Sequence, residues 1–352
     1  MENFELNTEK NKNEKVLIGV SGGIDSAMCV YLLKKAGFDV LGIYMKMHEG
    51  VNHVENITKL NRLSKKLGFE YVIEDVEEEF RKEVYEYFVE SYRQGITPNP
   101  CAMCNIKIKF GIFMNFLEKY GCDLAATGHY VRNDGEFLYQ AKDESKDQSY
   151  FLFGIKKEIL PKLLFPLGDY TKDEIKKTAR EIGLEEFASQ KESQDICFID
   201  TSYIDVLKLH FNPERKGKVV NKRGQKIGIH KGYSFYTVGQ RKGFNLFKSH
   251  KPQYVIGIDA KSNTLIVGDK KDLEKKQVFL KGVNLFIEDR VFECEAKIRY
   301  RAPKVPAVVK MESKSKAVVN FKESVSGVAK GQACVFYEGD RLLGGGWIRG
   351  GR

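Results

Sequence analysis

The apolar run Val16-Leu17-Ile18-Gly19-Val20 passes without a break into Ser21-Gly22-Gly23-Ile24-Asp25-Ser26. This junction constrains the fold more than any other segment of the 352-residue chain. A strand, a Gly-Gly turn and a helix start together build an anion cradle. Glycines let the main chain approach phosphate, and the amides of the first helical turn present partial positive charge. Ala27, Val30, Tyr31, Leu32 and Leu33 form the apolar stripe of that helix, and Gly37 closes it. A Walker loop would end in Gly-Lys-Ser/Thr, with the lysine reaching the terminal phosphates, and no lysine stands here. A bare Gly-Gly also suits an ordinary tight turn. The flanking serines and Asp25 go beyond that need, since they supply further phosphate and metal-water contacts.

Strand patterns at 16–20, 40–45, 70–76 and 123–128 alternate with helical patterns at 26–36, 55–67, 77–93 and 105–120. The alternation predicts an α/β fold with a doubly wound parallel sheet, whose ligands bind beyond the carboxyl ends of the strands. The glycine loop and Gly128-His129 both fall at such ends. Thr171 and Glu174 read as a capping box opening a further helix that ends near Gly183. After residue 205 glycines and short β-rich runs take over, at 254–258, 264–267, 277–280, 307–309, 317–321 and 333–337. Such spacing predicts a barrel or sandwich. The expected division is a catalytic domain at 1–205, a small basic central domain at 206–275 and a C-terminal β-barrel at 276–352.

The net charge of +10 is unevenly spread: −7 over residues 1–200 and +17 over 201–352. Within 211–250 ten basic residues and one acid, Glu214, are interleaved with Phe211, Tyr233, Phe235, Tyr236, Phe244 and Phe247. Basic side chains neutralise phosphates and rings stack on bases, so RNA is the expected partner of this half. A solvated basic surface is the plainer alternative. No apolar stretch of 18 residues occurs, and the N-terminal MENFELNTEKNKNEK is polar. A cytoplasmic protein without a membrane partner, acting as a monomer, is expected. Its seven cysteines should then be mostly reduced.

Two cysteine segments carry candidate chemistry. Thr97-Pro98-Asn99-Pro100-Cys101-Ala102-Met103-Cys104-Asn105 is a proline-framed loop running into the helix over 106–120. Cys104 should lie near that helix's N-terminus beside Lys107 and Lys109, where positive potential lowers a thiol's pKa. Cys197 lies far off in Lys191-Glu192-Ser193-Gln194-Asp195-Ile196-Cys197-Phe198. Cys29, Cys122, Cys294 and Cys334 fall in apolar patterns and read as inert core. A lone C-x-x-C is compatible with half a zinc site, a redox pair or structural thiols. No second C-x-x-C exists, His129 is the nearest candidate fourth ligand, and the strand-to-helix setting of a thioredoxin motif is missing.

Residues 19–26 resemble the signature loop of the PP-loop ATP pyrophosphatases, which cleave ATP to AMP and pyrophosphate. The chain as a whole resembles the tRNA-specific 2-thiouridylases nearly from end to end. The resemblance rests on Gly19–Ser26, Thr97–Phe110, Thr127–Tyr130, Lys146–Tyr150, KESQDICFI at 191–199, Tyr236–Gly243, Lys297–Arg301, Gly331-Gln332 and Leu343–Gly346. It implies replacement of O2 of the wobble uridine by sulfur, with ATP and Mg2+ as cofactors. Gly19, Val20, Ser21, Gly22, Gly23, Ile24, Asp25, Ser26, Met45 and Gly128 would bind the nucleotide. Cys104 and Cys197 would be catalytic: a persulfide on Cys197, delivered by a cysteine desulfurase or a relay protein, would be attacked by Cys104. Asn99, Pro100 and Cys101 would frame the flipped base. His129, Lys146, Asp147, Gln148, Arg299, Tyr300 and Gln332 would contact tRNA.

The chain departs from the family at Cys101, where many members carry aspartate. Cys101, Cys104 and Cys197 in one pocket would instead suit a 4Fe-4S cluster whose open iron takes free sulfide. Cluster-dependent tRNA thiolases with three such cysteines exist, which makes a cluster as strong an expectation as the persulfide route. Zinc in the triad is the weaker variant. Two rivals remain: another PP-loop ligase such as a lysidine synthetase, which needs no cysteine pair, and an RNA-binding protein with a vestigial ATP loop.

Overall fold

A computed structural model describes residues 14–49, 52–189, 196–199, 201–247 and 251–352. Lys191–Asp195 of the second cysteine segment, and all but the last two residues of the polar N-terminal stretch, lie outside the described residues. The chain forms two compact units. The first holds the described residues up to Glu83, Cys101–Phe198 and Asp340–Leu342; the second holds Val84–Pro100, Ile199–Gly339 and Leu343–Arg352.

The first unit is a five-stranded parallel sheet in the order β3-β2-β1-β4-β7. Its strands are β1 (Lys15–Gly19), β2 (Asp39–Lys46), β3 (Glu70–Asp75), β4 (Leu124–Ala126) and β7 (Leu163–Leu164). A hairpin of β5 (Val131–Asn133) and β6 (Leu138–Gln140) stands between β4 and β7 in sequence. Val16, Leu17 and Ile18 are wholly buried, as a central strand covered on both faces requires. The helix Ile24–Lys35 packs over them with Met28, Cys29, Val30 and Leu33 buried. The chain runs from β1 to β2 to β3 on one side and then crosses to β4 on the other. Beyond β1 and β4 the strand order therefore reverses, and the loops after both strands open at that switch point.

Most expected elements appear within a residue or two. The expected helix at 105–120 differs: it begins five residues earlier, at Pro100–Cys104, continues as a π-helical stretch over Asn105–Ile112 and ends as Phe113–Tyr120. Proline suits a first helical position, because the amide it lacks would have no partner there. Gly111 accommodates the wide turn, since a Cβ there would stand 3.0 Å from the Ile106 carbonyl oxygen. The capping box is formed: Thr171 Oγ1 accepts from the Glu174 amide, and the Glu174 carboxylate from the Thr171 amide, opening Lys172–Glu181.

The second unit carries two β structures. A five-stranded sheet takes the order β10-β9-β8-β12-β11. It is built from β8 (Gly217–Val220), β9 (Lys226–His230), β10 (Asn245–Leu246), β11 (Tyr254–Asp259) and β12 (Thr264–Gly268) around Val219, Tyr236, Val255, Leu265 and Val267. The other is a closed six-stranded antiparallel barrel, β13-β16-β15-β14-β17-β18, sealed by pairing of β18 with β13. These strands are β13 (Glu274–Leu285), β14 (Val291–Lys297), β15 (Val305–Met311), β16 (Lys316–Ser326), β17 (Ala333–Glu338) and β18 (Arg341–Gly351). Val278, Leu280, Val309, Val319, Phe336 and Ile348 fill its interior, and closure leaves no open sheet edge.

Candidate active site

The loop after β1 is folded around its own serines. Ser26 Oγ accepts from the Ser21 amide (3.2 Å) and donates to the Gly23 carbonyl (3.0 Å), while Ser21 Oγ accepts from the Gly23 amide (3.3 Å). Gly22 has φ +80°, and a Cβ there would meet the Asn56 carbonyl oxygen at 3.0 Å. Gly23 caps the helix without a side-chain bond, so the first helical amides stay available to an anion. Gly128, just beyond β4, closes the other side: a Cβ on it would lie 3.4 Å from the Ser26 nitrogen. Met45 is the second-last residue of β2 and half-buried, at the same carboxyl edge of the sheet.

Asp25 carries a feature that sequence reasoning missed. Lys172 Nζ donates to both its carboxylate oxygens, at 2.6 and 2.8 Å, and the Tyr130 hydroxyl donates to Oδ1 at 2.9 Å. The lysine side chain is only 8% exposed. Burial, then the Asp25 charge, pushes the Tyr130 phenol far above its ordinary value, so it serves as a neutral donor. A signal was present in the sequence. Lys172 opens a helix, where the dipole disfavours a cation, and that placement is the one local hint that it pairs with a carboxylate.

Cys101, Cys104 and Cys197 belong to this same unit. Cys104 is buried; Cys101 and Cys197 are exposed. Cys104 feels both of the other thiols electrostatically, Cys197 feels Cys101, and Lys109 acts on all three. The expected lowering of the Cys104 pKa is corrected. Burial pushes it up to about 12, with Cys197 and Cys101 adding to the rise and Lys109 opposing it. The helix starts at Pro100, so Cys104 sits a full turn inside it, where loss of hydration outweighs the terminal charge. Desolvation by the surrounding protein also raises Cys101 and Cys197, although both keep solvent-exposed surface. Among the described residues no three His, Cys, Asp or Glu side chains are gathered closely enough to hold a metal ion. Cys29, Cys122, Cys294 and Cys334 are buried.

Several expected RNA contacts are committed to internal bonds. His129 is buried: its Nδ1 meets Thr127 Oγ1 at 2.8 Å and its Nε2 meets Asn105 Oδ1 at 3.2 Å. Asn105 Nδ2 donates to the Phe151 carbonyl, which turns Oδ1 toward the ring, so Nε2 carries the proton. Burial lowers the His129 pKa well below its usual value. The network joins the end of β4 to the residue after Cys104. Asp147 is 3% exposed, and its carboxylate accepts from Gln140 Nε2, the Ala141 and Ser149 amides and Ser149 Oγ. Gln148 Oε1 accepts from the Tyr130 amide. Lys146 is half-buried beside them. In the second unit Arg299 donates to the Val238 carbonyl (2.7 Å), and the Lys297 ammonium lies 5.9 Å from the Tyr300 ring. Gln332 Nε2 donates to the Thr97 and Pro98 carbonyls. Asn99 and Pro100 are buried at the end of that same segment. On the basic sheet Phe247 is 61% exposed with the Lys226 ammonium 6.0 Å from its ring, and Lys231 lies 3.9 Å from the Phe235 ring.

Three family models match consecutive parts of the chain: a tRNA methyl transferase HUP domain over residues 14–201, a tRNA methyl transferase PRC-barrel domain over 204–269 and an aminomethyltransferase β-barrel domain over 275–348. The tRNA-specific 2-thiouridylase MnmA of a Nitratiruptor species is 51% identical over 96% of this chain and 99% of its own length. The enzyme of that name from Campylobacter curvus is 47% identical over 95% and 100%. Among solved structures, the U34-tRNA thiolase NcsA from Methanococcus maripaludis with its 4Fe-4S cluster aligns over 60% of this chain and 72% of its own. At 20% identity and a TM-score of 0.37, that likeness does not bear on the cysteines. With identity near one half along almost the whole length, the chain belongs to the tRNA-specific 2-thiouridylase family.

Proposed function

We propose that this chain is an ATP-dependent tRNA-uridine 2-sulfurtransferase acting on the wobble uridine. The observation that carries the reading is the pairing, in one compact unit, of an anion cradle with two electrostatically linked cysteines, Cys104 and Cys197. A uridine carbonyl oxygen is a poor leaving group. Transfer of AMP onto O2 makes it a good one, so ATP must be cut between its α and β phosphates. In this reading the amides of Gly22–Ser26 and the Ser21 hydroxyl hold pyrophosphate, and Lys172 offsets the charge of Asp25 beside it. Asp25, 37% exposed on its side chain, is the residue suited to a Mg2+ that arrives with ATP and compensates phosphate charge. Gly128 lets the nucleotide approach, and Met45 provides apolar contact for the adenine.

Sulfur arrives as a persulfide on the exposed Cys197. Cys104 attacks the inner sulfur, hydrosulfide leaves to displace AMP at C2, and a Cys104–Cys197 disulfide remains for a two-electron reductant. Exposure of Cys197 supports loading by a cysteine desulfurase or relay protein. Burial keeps the Cys104 thiol protonated, so its attack needs a base to take the proton. Asn99, Pro100 and Cys101 frame the flipped base, with Cys101 in place of aspartate. The basic sheet at 206–275 and the barrel at 276–352 are read as the tRNA-binding domains, with Arg299 and Tyr300 as contacts. A cytoplasmic monomer fits this work, and no helix among the described residues is long and apolar enough to cross a membrane.

The test is mass analysis of tRNA after incubation with ATP, Mg2+ and a sulfur source, beside iron and acid-labile sulfide analysis of anaerobically purified protein. Thiolation by iron-free enzyme, abolished in Cys104→Ser and Cys197→Ser, is expected. Absence of 2-thiouridine overturns the function. Activity that tracks about four irons per chain overturns the persulfide route in favour of a cluster.

A further inference from the structure

Cys197 is exposed, while Phe198, the residue after it, is buried at 7% exposure. The two share a short turn. The Phe198 ring stands edge-on to two others: Phe80, with 5.6 Å between ring centroids and 75° between planes, and His48, at 6.1 Å and 73°. His48 and Phe80 lie against each other at 5.3 Å and 39°, which closes a triangle of three rings. Edge contacts set the positive rim of one ring on the negative face of the next, so they carry a preferred direction as well as apolar area. All three residues belong to the first unit, together with Cys104.

Both partners of Phe198 are fixed independently of it. Phe80 is wholly inside and ends the helix Glu77–Phe80, its amide donating to the Val76 carbonyl at 2.9 Å. His48 lies just beyond β2, and its carbonyl oxygen meets His53 Nε2 at 2.9 Å. A carbonyl only accepts, so that nitrogen carries a proton, and in the neutral imidazole Nδ1 accepts from the Tyr44 hydroxyl at 2.8 Å. Tyr44 is a buried residue of β2, so these bonds tie the stretch carrying His48 back to the sheet. Glu77, which opens the helix carrying Phe80, places Oε1 3.6 Å from the same His53 nitrogen. The loop after β2 and the helix after β3 are thereby joined into one seat for the Phe198 ring.

We infer that His48 and Phe80 are positioning residues: by seating the Phe198 ring they hold the Cys197 sulfur where Cys104 can attack it. The inference rests on the proposed persulfide route. Consecutive Cα atoms are about 3.8 Å apart, so a seated Phe198 limits the excursion of Cys197 while leaving its side chain open to solvent. The arrangement meets two demands on Cys197 at once, access for loading with sulfur and nearness to Cys104. The charge of Cys197 is felt at Cys104, in keeping with that nearness. Held geometry acts as effective concentration, and a displacement of about 1 Å at a reacting group can cost up to about 100-fold in rate. Loss of the seat is accordingly expected to lower the effective concentration of the two thiols by at least about tenfold.

Phe198→Ala, His48→Ala and His48→Phe provide the test. The tRNA-free protein is equilibrated with glutathione and glutathione disulfide, and the Cys104–Cys197 disulfide is quantified by peptide mass analysis. Two protein thiols give up two electrons and two protons as one glutathione disulfide becomes two glutathiones, so the equilibrium reads the effective concentration of the pair. Steady-state kcat and KM for ATP and tRNA accompany it. Phe198→Ala and His48→Ala are expected to lower the effective concentration about tenfold or more and to lower kcat, with both KM values within about twofold. His48→Phe keeps a ring in the seat and should restore both readouts. If Phe198→Ala fails to fold, the two variants of the half-buried His48 carry the test alone. An equilibrium that neither alanine variant shifts would overturn the inference, as would His48→Phe behaving like His48→Ala. A parent protein whose two thiols form no disulfide at any glutathione ratio would overturn it as well. A seat-dependent disulfide in a protein that never thiolates tRNA would leave the positioning standing and sink the reading of the reaction.

Discussion

Replacing Lys172 by Met removes the cation that holds Asp25 beside the phosphate cradle. The pair is asymmetric: the ammonium is 8% exposed, the carboxylate 37%. An exposed ion pair contributes about 0–1 kcal/mol, whereas breaking a buried one costs about 3–5 kcal/mol. The mixed exposure places this pair between them, at about 2 kcal/mol, or roughly a 30-fold change in an equilibrium constant. The penalty should appear at the nucleotide, because Asp25 is the residue before Ser26 and its uncompensated charge then faces incoming phosphate. Equilibrium binding of ATP and formation of AMP, measured against ATP concentration, should both show a loss of about 30-fold in apparent affinity for Lys172→Met. Lys172→Arg keeps the charge and should recover part of it. Affinity within twofold of the parent in Lys172→Met, accompanied only by a lower melting temperature, would refute the electrostatic argument and leave Lys172 a packing residue.

Cys104, with a pKa raised to about 12, is only about one ten-thousandth thiolate at pH 8. An ordinary free cysteine near 8.5 is about one-quarter ionised there, so Cys104 should alkylate about a thousandfold more slowly. Its rate should rise about tenfold per pH unit between pH 7 and 10, and a plateau below pH 9 would contradict the burial argument. His129 is held neutral by burial, while in the unfolded chain it titrates near about 6.5. Below that pH the unfolded state binds a proton that the folded state refuses. Stability should therefore fall on acidification by about 1.4 kcal/mol per pH unit for this group, with no effect above it. Urea unfolding at pH 7.5, 6 and 5 checks this, since His129→Gln should reduce the slope by that amount, and an unreduced slope counts against it. Gly22→Ala forces a Cβ into a left-handed backbone and against the Asn56 carbonyl, at about 1–2 kcal/mol from the conformation alone. AMP formation should drop more than tenfold, and an unaffected rate would mean the loop does not hold phosphate.

Much of the molecule could be read along the chain, because its signals are local. The run Val16–Val20 followed by Ser21-Gly22-Gly23 specifies a buried strand and a phosphate-shaped turn through nearest-neighbour geometry. The capping box at Thr171 and the antiparallel runs after 205 are read from residues a few positions apart. Other features depend on partners more than a hundred residues away. Lys172 finds Asp25 across 147 positions, Gln332 finds Pro98 across 234 and Thr237 finds Thr97 across 140. No periodicity records such pairs. Burial is likewise a property of the packed whole, and it turns one expectation around. Cys104 was expected to be acidic from its place near a helix start, and its pKa is raised instead. The burial of His129, with both ring nitrogens bonded, likewise depends on elements far from it in sequence. Composition and motif determined the residue types, the strand-loop-helix frame and the chemistry they carry. Tertiary structure alone decided which of those groups keep their hydration, because solvent exclusion depends on every element packed around a residue and not on its neighbours in sequence.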